Sequence, residues 1–235
     1  HVQALGRMLE RMGAQVEGIG SNCVTVFGTH DLVGTHATLP VDHVEAASAA
    51  AMIAISGGRG QVSGAPRQDM QMSARTFHWL GMALDIDANE TFVPRHESLS
   101  MSNREEDVDA SIESAPWPGF PSDLIPMATV VASQAHGTSL IHEKMFNNRL
   151  LFIDKLNMMG AQIVLCDPHR AIVVGRTPLR GIYMDTPDVR AGLALLAAAL
   201  VADGTSTIDN AQAVAKSFDG VIGKLQALGA KIVVE

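Results

Sequence analysis

The chain is 235 residues long, 47% hydrophobic and 18% charged, with 17 basic against 25 acidic side chains and a net charge of −8. That apolar content, evenly patterned, excludes a disordered chain, and the length suffices for one large domain or two modest ones. The negative balance argues against a nucleic-acid surface or an anionic membrane as partner, so an anionic small molecule would need a local basic pocket.

"HVQALGRMLERMGA" opens directly in an amphipathic helix with no initiator Met, so the sequence is expected to be the back part of a longer chain. At Gly13 the helix should stop, and "AQVEGIG" and "NCVTVFG" follow as a strand pair joined by a short polar turn. The same passage from outer helix through glycine to strand recurs at Gly81 ("LGMALDIDA"), Gly160 ("MGAQIVLCD") and Gly229 ("LGAKIVVE"). "HRAIVVG", from His169, supplies a second hairpin strand after the third of these.

Between these passages lie helices of another kind, rich in Ala and apolar on every side. They are "VDHVEAASAAAMIAISGG" from Val41, "SDLIPMATVVASQAHGT" from Ser122 and "PDVRAGLALLAAALVADGT" from Pro187. An aspartate (Asp42, Asp123, Asp188) opens each, and a glycine followed by a strand (Gly57, Gly137, Gly204) closes each. Helices without a polar face are buried on all sides. The implied unit is strand, buried helix, strand, outer helix and strand pair, about 70 residues long. This predicts an α/β fold of repeated βαβαββ units around buried helices. "HESLSMSNREEDVDAS" interrupts the rhythm and is expected to be an exposed acidic loop. The longest apolar helix, Val189 to Ala202, falls short of the roughly 20 residues that span a bilayer. Cys23 and Cys166 lie in dissimilar surroundings, which suits reduced thiols in a cytosolic compartment.

The helix-opening aspartates are the first candidates for chemistry. Capping explains Asp42 and Asp188, because a side-chain oxygen there accepts an N2 or N3 amide. Asp123 differs: in "PWPGFPSDLIP" one usual amide partner is removed by Pro126, leaving its carboxylate with acceptor capacity to spare. Arg190, two residues behind Asp188, puts a cation where the helix dipole opposes it, an arrangement that an anion drawn to the same end would offset. "KMFNNRLLFIDKL" puts Arg149 at the start of an amphipathic helix whose plain explanation is a solvated face. The nine histidines show no metal-ligand spacing, and no Lys-Ser/Thr follows the glycines of "SGGRGQVSG" to make a phosphate loop.

Several of these segments together resemble the enolpyruvyl transferases. "PWPGFPSDLIP" followed by "AHGTSLIHEKMFNNRLLFIDKLNMMGAQI" is similar to that family's P-x-P-x-F-P-T-D segment, E-G-T, and T-x-F-E-N-R helix ending in M-G-A. "PDVRAGLALLAAALVADGTSTID" and "GKLQALGAKIVVE" match its later segments, and "GIGSNCVTVFG" with "LPVDHVEAAS" its earlier ones. The asparagine-arginine helix and the terminus suit the branch acting on UDP-N-acetylglucosamine better than the shikimate branch.

The resemblance implies two lobes of the inside-out α/β barrel type with the active site between them. Residues 1–40 would end the first lobe, 41–235 would make the second, and a hinge strand would lie near Pro40. It implies that phosphoenolpyruvate and UDP-N-acetylglucosamine are the substrates, with no cofactor, no metal, and a bacterial cytoplasmic location. Asp123, Arg190 and Lys216 take catalytic positions; Asp42, Glu45, Ser122, Met145, Arg149 and Asp188 take substrate-binding ones. Lys216 and His43 stand where the family has arginine, and a lysine loses the planar bidentate fork. The family's Lys-Asn pair and its Cys- or Asp-bearing loop would precede His1, so residues 1–235 alone are expected to be inactive. A non-catalytic nucleotide-sugar-binding or regulatory relative, and a shikimate-type transferase, are the alternatives.

Overall fold

A computed structural model describes residues 1–102, 111–218 and 220–234. Residues His1–Val41 cluster as one compact unit and Asp42–Glu235 as another. In the first, helix α1 (Val2–Arg11) leads into an antiparallel pair, β1 (Gln15–Glu17) and β2 (Thr25–Phe27), in which Val16 faces Val26.

The second unit repeats one theme three times. Helix α2 (His43–Ile55) is followed by β3 (Gly60–Ser63), the outer helix α3 (Arg67–Trp79), β4 (Asp85–Asp87) and β5 (Glu90–Val93). These strands form an antiparallel sheet in the order β3-β5-β4. The second passage holds β6 (Leu99–Ser100), β7 (Ser111–Glu113), a 3-10 turn (Ser122–Leu124), α4 (Ile125–Gln134), β8 (Ala135–His142), α5 (Ile153–Met158), β9 (Gln162–Asp167) and β10 (Arg170–Gly175). Here β10 lies between β8 and β9, while β6 and β7 both run parallel to β8. The third has β11 (Tyr183–Asp185), α6 (Val189–Val201), β12 (Thr207–Asp209), α7 (Gln212–Ser217) and α8 (Val221–Ala227), with β11 and β12 paired in parallel.

The three apolar helices behave as their composition demands. In α4 every residue except Gln134 is buried, and α6 buries Ala191–Ala198 without a break. Helices α2, α4 and α6 pack on one another, and alanines at their contacts let the axes approach closely. The outer helices bury only a stripe: Met70, Ser73 and Phe77 on α3, Ile153 and Leu156 on α5. The three sheets of this unit stay separate around the helices, and among the described residues they do not close into a barrel. No helix among those residues is long and apolar enough to cross a membrane.

The four repeated glycines end their helices by one mechanism. Gly13, Gly81, Gly160 and Gly229 have φ of +96°, +83°, +106° and +101°, the left-handed region that costs glycine no Cβ clash. Each glycine N–H donates to the carbonyl three residues back, and the residue after it to the carbonyl five back, as Gly13 to Glu10 and Ala14 to Leu9. This is the Schellman closure, which turns the chain out of the helix.

Some expectations change. Gly137 does not close α4: Ala135 is already extended, and Gly137 lies within β8 opposite Gly175. The helix expected from Arg149 begins at Ile153, because the backbone bonds from Asn148 to Asp154 (Leu151 to Asn148, Ile153 to Leu150, Asp154 to Leu151) close turns three residues apart rather than α-helical ones. Ile232–Val234 form no strand, and Val233 is 84% exposed; among the described residues no neighbouring strand pairs with it. Of the acidic loop, Leu99–Ser100 form β6 with Leu99 buried, and 103–110 lie outside the described residues.

Candidate active site

The N-terminal ends of the buried helices use their aspartates in two ways. At α2 and α6 the carboxylate caps. Asp42 accepts from the Val44 amide at 2.8 Å, and one oxygen of Asp188 accepts from the amides of Arg190 and Ala191 at 2.8 and 2.9 Å. Removing the Asp188 cap should cost about 1 kcal/mol, within the 0.5–2 seen for such caps. Asp188→Ala is therefore expected to lower the thermal midpoint while Asp188→Asn largely preserves it, measured by circular dichroism melting.

Asp123 is used otherwise. It sits inside the 3-10 turn that precedes α4, with Pro121 before the turn and Pro126 in the first turn of the helix, and it caps neither. Its two oxygens each meet a different guanidinium: Oδ1 lies 3.3 Å from Arg149 Nη2 and Oδ2 3.2 Å from Arg190 Nη2. Both arginines are mostly covered, with 18% and 25% of their side-chain surface exposed against 37% for Asp123. Two cations thus share one carboxylate in a protein whose overall charge is −8.

Each guanidinium also rests on an aromatic ring. Arg149 Cζ is 4.9 Å from the centroid of Phe146, and Arg190 Cζ is 5.4 Å from that of Phe218. Such contacts hold a cation in place and contribute roughly 0.5–1 kcal/mol at partly exposed sites. Local backbone choices make both possible. Asn148, in the left-handed region that asparagine tolerates, turns the loop just before Arg149. Gly192, two residues after Arg190, admits Val214 of α7 so closely that a Cβ would fall 2.5 Å from Val214 Cγ2, and Phe218 follows directly on that helix.

The other predicted residues are placed as follows. Glu45, in the first turn of α2, lies 3.6 Å from Lys224 Nζ. Ser122 is buried and donates its hydroxyl to Glu143 Oε2 at 2.6 Å. Met145 is 41% exposed, and Lys216 is exposed near the end of α7. His43 packs edge-on against Trp117 with ring centroids 5.8 Å apart, and burial holds its imidazole below the ordinary histidine range. At neutral pH it therefore does not supply the charge of an arginine. A cavity of about 150 Å³ at the C-terminal end of α2, lined partly by His96, Gln134 and Arg176, contains none of the nine predicted site residues.

Sequence reasoning missed Glu143. Its side chain is fully buried, yet it accepts hydrogen bonds from Ser114, Ser122 and the amides of Met145 and Phe146. A single acidic residue at a strand end carries no periodic signal, although a glutamate inside "SLIHEKMF" is flanked by enough apolar residues to invite the question.

Comparison with known proteins follows the same lines. The sequence pattern of the family described as EPSP synthase (3-phosphoshikimate 1-carboxyvinyltransferase) matches residues 1–225. A UDP-N-acetylglucosamine 1-carboxyvinyltransferase of Bacteroides thetaiotaomicron is 41% identical over 99% of the chain, and one of Borrelia garinii is 40% identical over the same share. In both cases the match takes in 54% of the relative, so the chain spans about half the length of the curated relatives it matches. Among solved structures, the enolpyruvyl transferase NikO from Streptomyces tendae superposes with a TM-score of 0.81 at 22% identity, covering 95% of this chain and 51% of that one. An EPSP synthase from Acinetobacter baumannii gives 0.75 at 20% identity, covering 97% and 54%. At such identities these two support the fold alone.

Proposed function

Because the chain belongs to the EPSP synthase family of enolpyruvyl transferases, we propose that in its full-length context it transfers the enolpyruvyl group of phosphoenolpyruvate to the 3'-hydroxyl of UDP-N-acetylglucosamine. The methylene carbon of phosphoenolpyruvate takes a proton, and the sugar oxygen bonds to the cationic carbon so formed as its hydroxyl proton leaves. The resulting tetrahedral adduct then loses phosphate and a methyl proton, restoring the alkene. The observation that carries this reading is the pairing of Asp123 with both Arg149 and Arg190.

The chemistry asks for those groups. A carboxylate held within reach of the acceptor hydroxyl serves as its general base, and Asp123 has the partial exposure to meet a substrate. Guanidiniums present planar forks suited to carboxylate and phosphate oxygens, and both lie against aromatic rings. Fixed cations stabilise charge that develops on the departing phosphate without having to reorganise. Lys216 is assigned a looser contribution to anion binding, as a point charge. Asp42, Asp188 and Ser122 act through the helix ends and the turn that they fix, and Glu45 and Met145 contribute to the substrate-facing surface. On this reading the protein works in bacterial peptidoglycan synthesis in the cytoplasm, and a first lobe completes the cleft and supplies the acid.

The test is phosphate release from phosphoenolpyruvate by the full-length protein. Release should depend on UDP-N-acetylglucosamine and yield its enolpyruvyl ether by mass spectrometry, while residues 1–235 alone release none. Release with shikimate 3-phosphate and not with the sugar nucleotide would overturn the acceptor assignment.

A further inference from the structure

We propose that Glu143 is a positioning residue that sets Asp123 and Arg149 relative to each other, an inference that rests on the function proposed above. Glu143 is the first residue after β8, and it is fully buried. Its Oε1 accepts from Ser114 Oγ at 2.8 Å, the Met145 amide at 2.7 Å and the Phe146 amide at 3.2 Å. Its Oε2 accepts from Ser122 Oγ at 2.6 Å. Four donors converging on two oxygens is the pattern that a carboxylate satisfies and a neutral side chain does not.

What these bonds connect gives the inference its content. Ser122 is covalently joined to Asp123, and Phe146 carries the ring on which the Arg149 guanidinium rests. Arg149 in turn pairs with Asp123. The contacts therefore close a ring: Asp123, Ser122, Glu143, Phe146, Arg149 and back to Asp123. Glu143 is itself fixed on the backbone side. Its amide donates to the His169 carbonyl at 2.8 Å, and His169 Nδ1 donates to the Glu143 carbonyl at 2.8 Å, since a carbonyl only accepts. Ser114 completes the brace by accepting from the Lys144 amide while donating to Glu143. The reacting groups thus sit on two loops held by one buried carboxylate, which suits chemistry in which a misplacement of about 1 Å can cost 10²-fold in rate.

Glu143→Ala leaves four donors without an acceptor and is expected to misfold, so the informative variant is Glu143→Gln. Its amide oxygen can keep the three bonds of Oε1, while its NH₂ faces Ser122 and forces that hydroxyl to accept instead of donate. In the full-length protein, Glu143→Gln is expected to fold and to lower kcat about 10-fold or more, with both KM values changed less than about 3-fold. Adding Ser122→Ala to Glu143→Gln should cost less than the product of the two single losses, because both alter the same link. A kcat within about 2-fold of wild type, or losses that multiply, would overturn the proposal. A second measurement does not depend on turnover: the side-chain Nε–H resonance of Arg149, assigned by its loss in Arg149→Lys, should shift and exchange faster in Glu143→Gln. An unchanged resonance defeats the positioning role. If the wild-type protein transfers no enolpyruvyl group, the functional assignment fails, and the resonance still decides the positioning claim.

Discussion

Replacing Asp123 by alanine in the full-length protein is expected to lower kcat by about 10² to 10⁴, the range that a general base contributes. Folding should survive the change. Arg149 and Arg190 lose their shared partner, but both keep part of their surface in water and their aromatic rings, so the stability cost should be about 1–3 kcal/mol. Asp123→Asn is the sharper variant, because it preserves size and accepting oxygen while losing the ability to take a proton. Phosphate-release kinetics together with thermal melting separate the two effects. A soluble Asp123→Asn protein with turnover near normal would remove Asp123 as the base and return the pair of arginines to a purely structural account.

The second large effect is expected at Phe218, which is 1% exposed and supports the Arg190 guanidinium. Phe218→Ala removes a buried aromatic ring, a change that typically costs about 3–5 kcal/mol and here should lower the melting temperature by roughly 6–20 °C. Phe218→Leu separates packing from support. It keeps most of the volume, so stability should fall by about 1.5 kcal/mol or less, yet it has no π face for the cation. The KM for phosphoenolpyruvate should then rise several-fold, while Phe218→Tyr restores it. Equal kinetics in the leucine variant and the wild type would show that the ring holds Arg190 by volume alone.

Much of the fold was legible because it is written in local chemistry. Helices without a polar stripe have one solution, burial, and the four glycines that end outer helices mark left-handed closures that almost no other residue adopts cheaply. Where legibility ended, non-local pairing decided. "KIVV" has the β-branched composition of a strand but finds no neighbour among the described residues, and an isolated strand has no ladder to stabilise it. Turns three residues apart from Asn148 to Asp154 postpone the helix to Ile153, so the position of Arg149 is set by a loop rather than by a helix start.

The candidate site divides in the same way. Pro126 made Asp123 visible as a carboxylate without its usual amide, and family resemblance supplied Arg149 and Arg190 as companions. That one carboxylate would take both guanidiniums depends on contacts between residues 26 and 67 positions apart and has no local signature. Glu143 was invisible for the same reason: its partners lie up to 29 residues away, and only their convergence reveals its role.

The centre of the second unit has a further effect on how this protein can change. Ala46, Ala47, Ala50, Ala51 and Ala54 on α2, Ala128 and Ala132 on α4, and Ala191, Ala194, Ala197 and Ala198 on α6 are all buried. A methyl group offers almost nothing to trim, so nearly every replacement at these positions enlarges a residue that has no room to grow, at about 1–3 kcal/mol or more. Descendants of this sequence can therefore drift at the outer helices and sheet faces while the middle stays nearly frozen, and an engineer seeking added robustness does better to work from the rim.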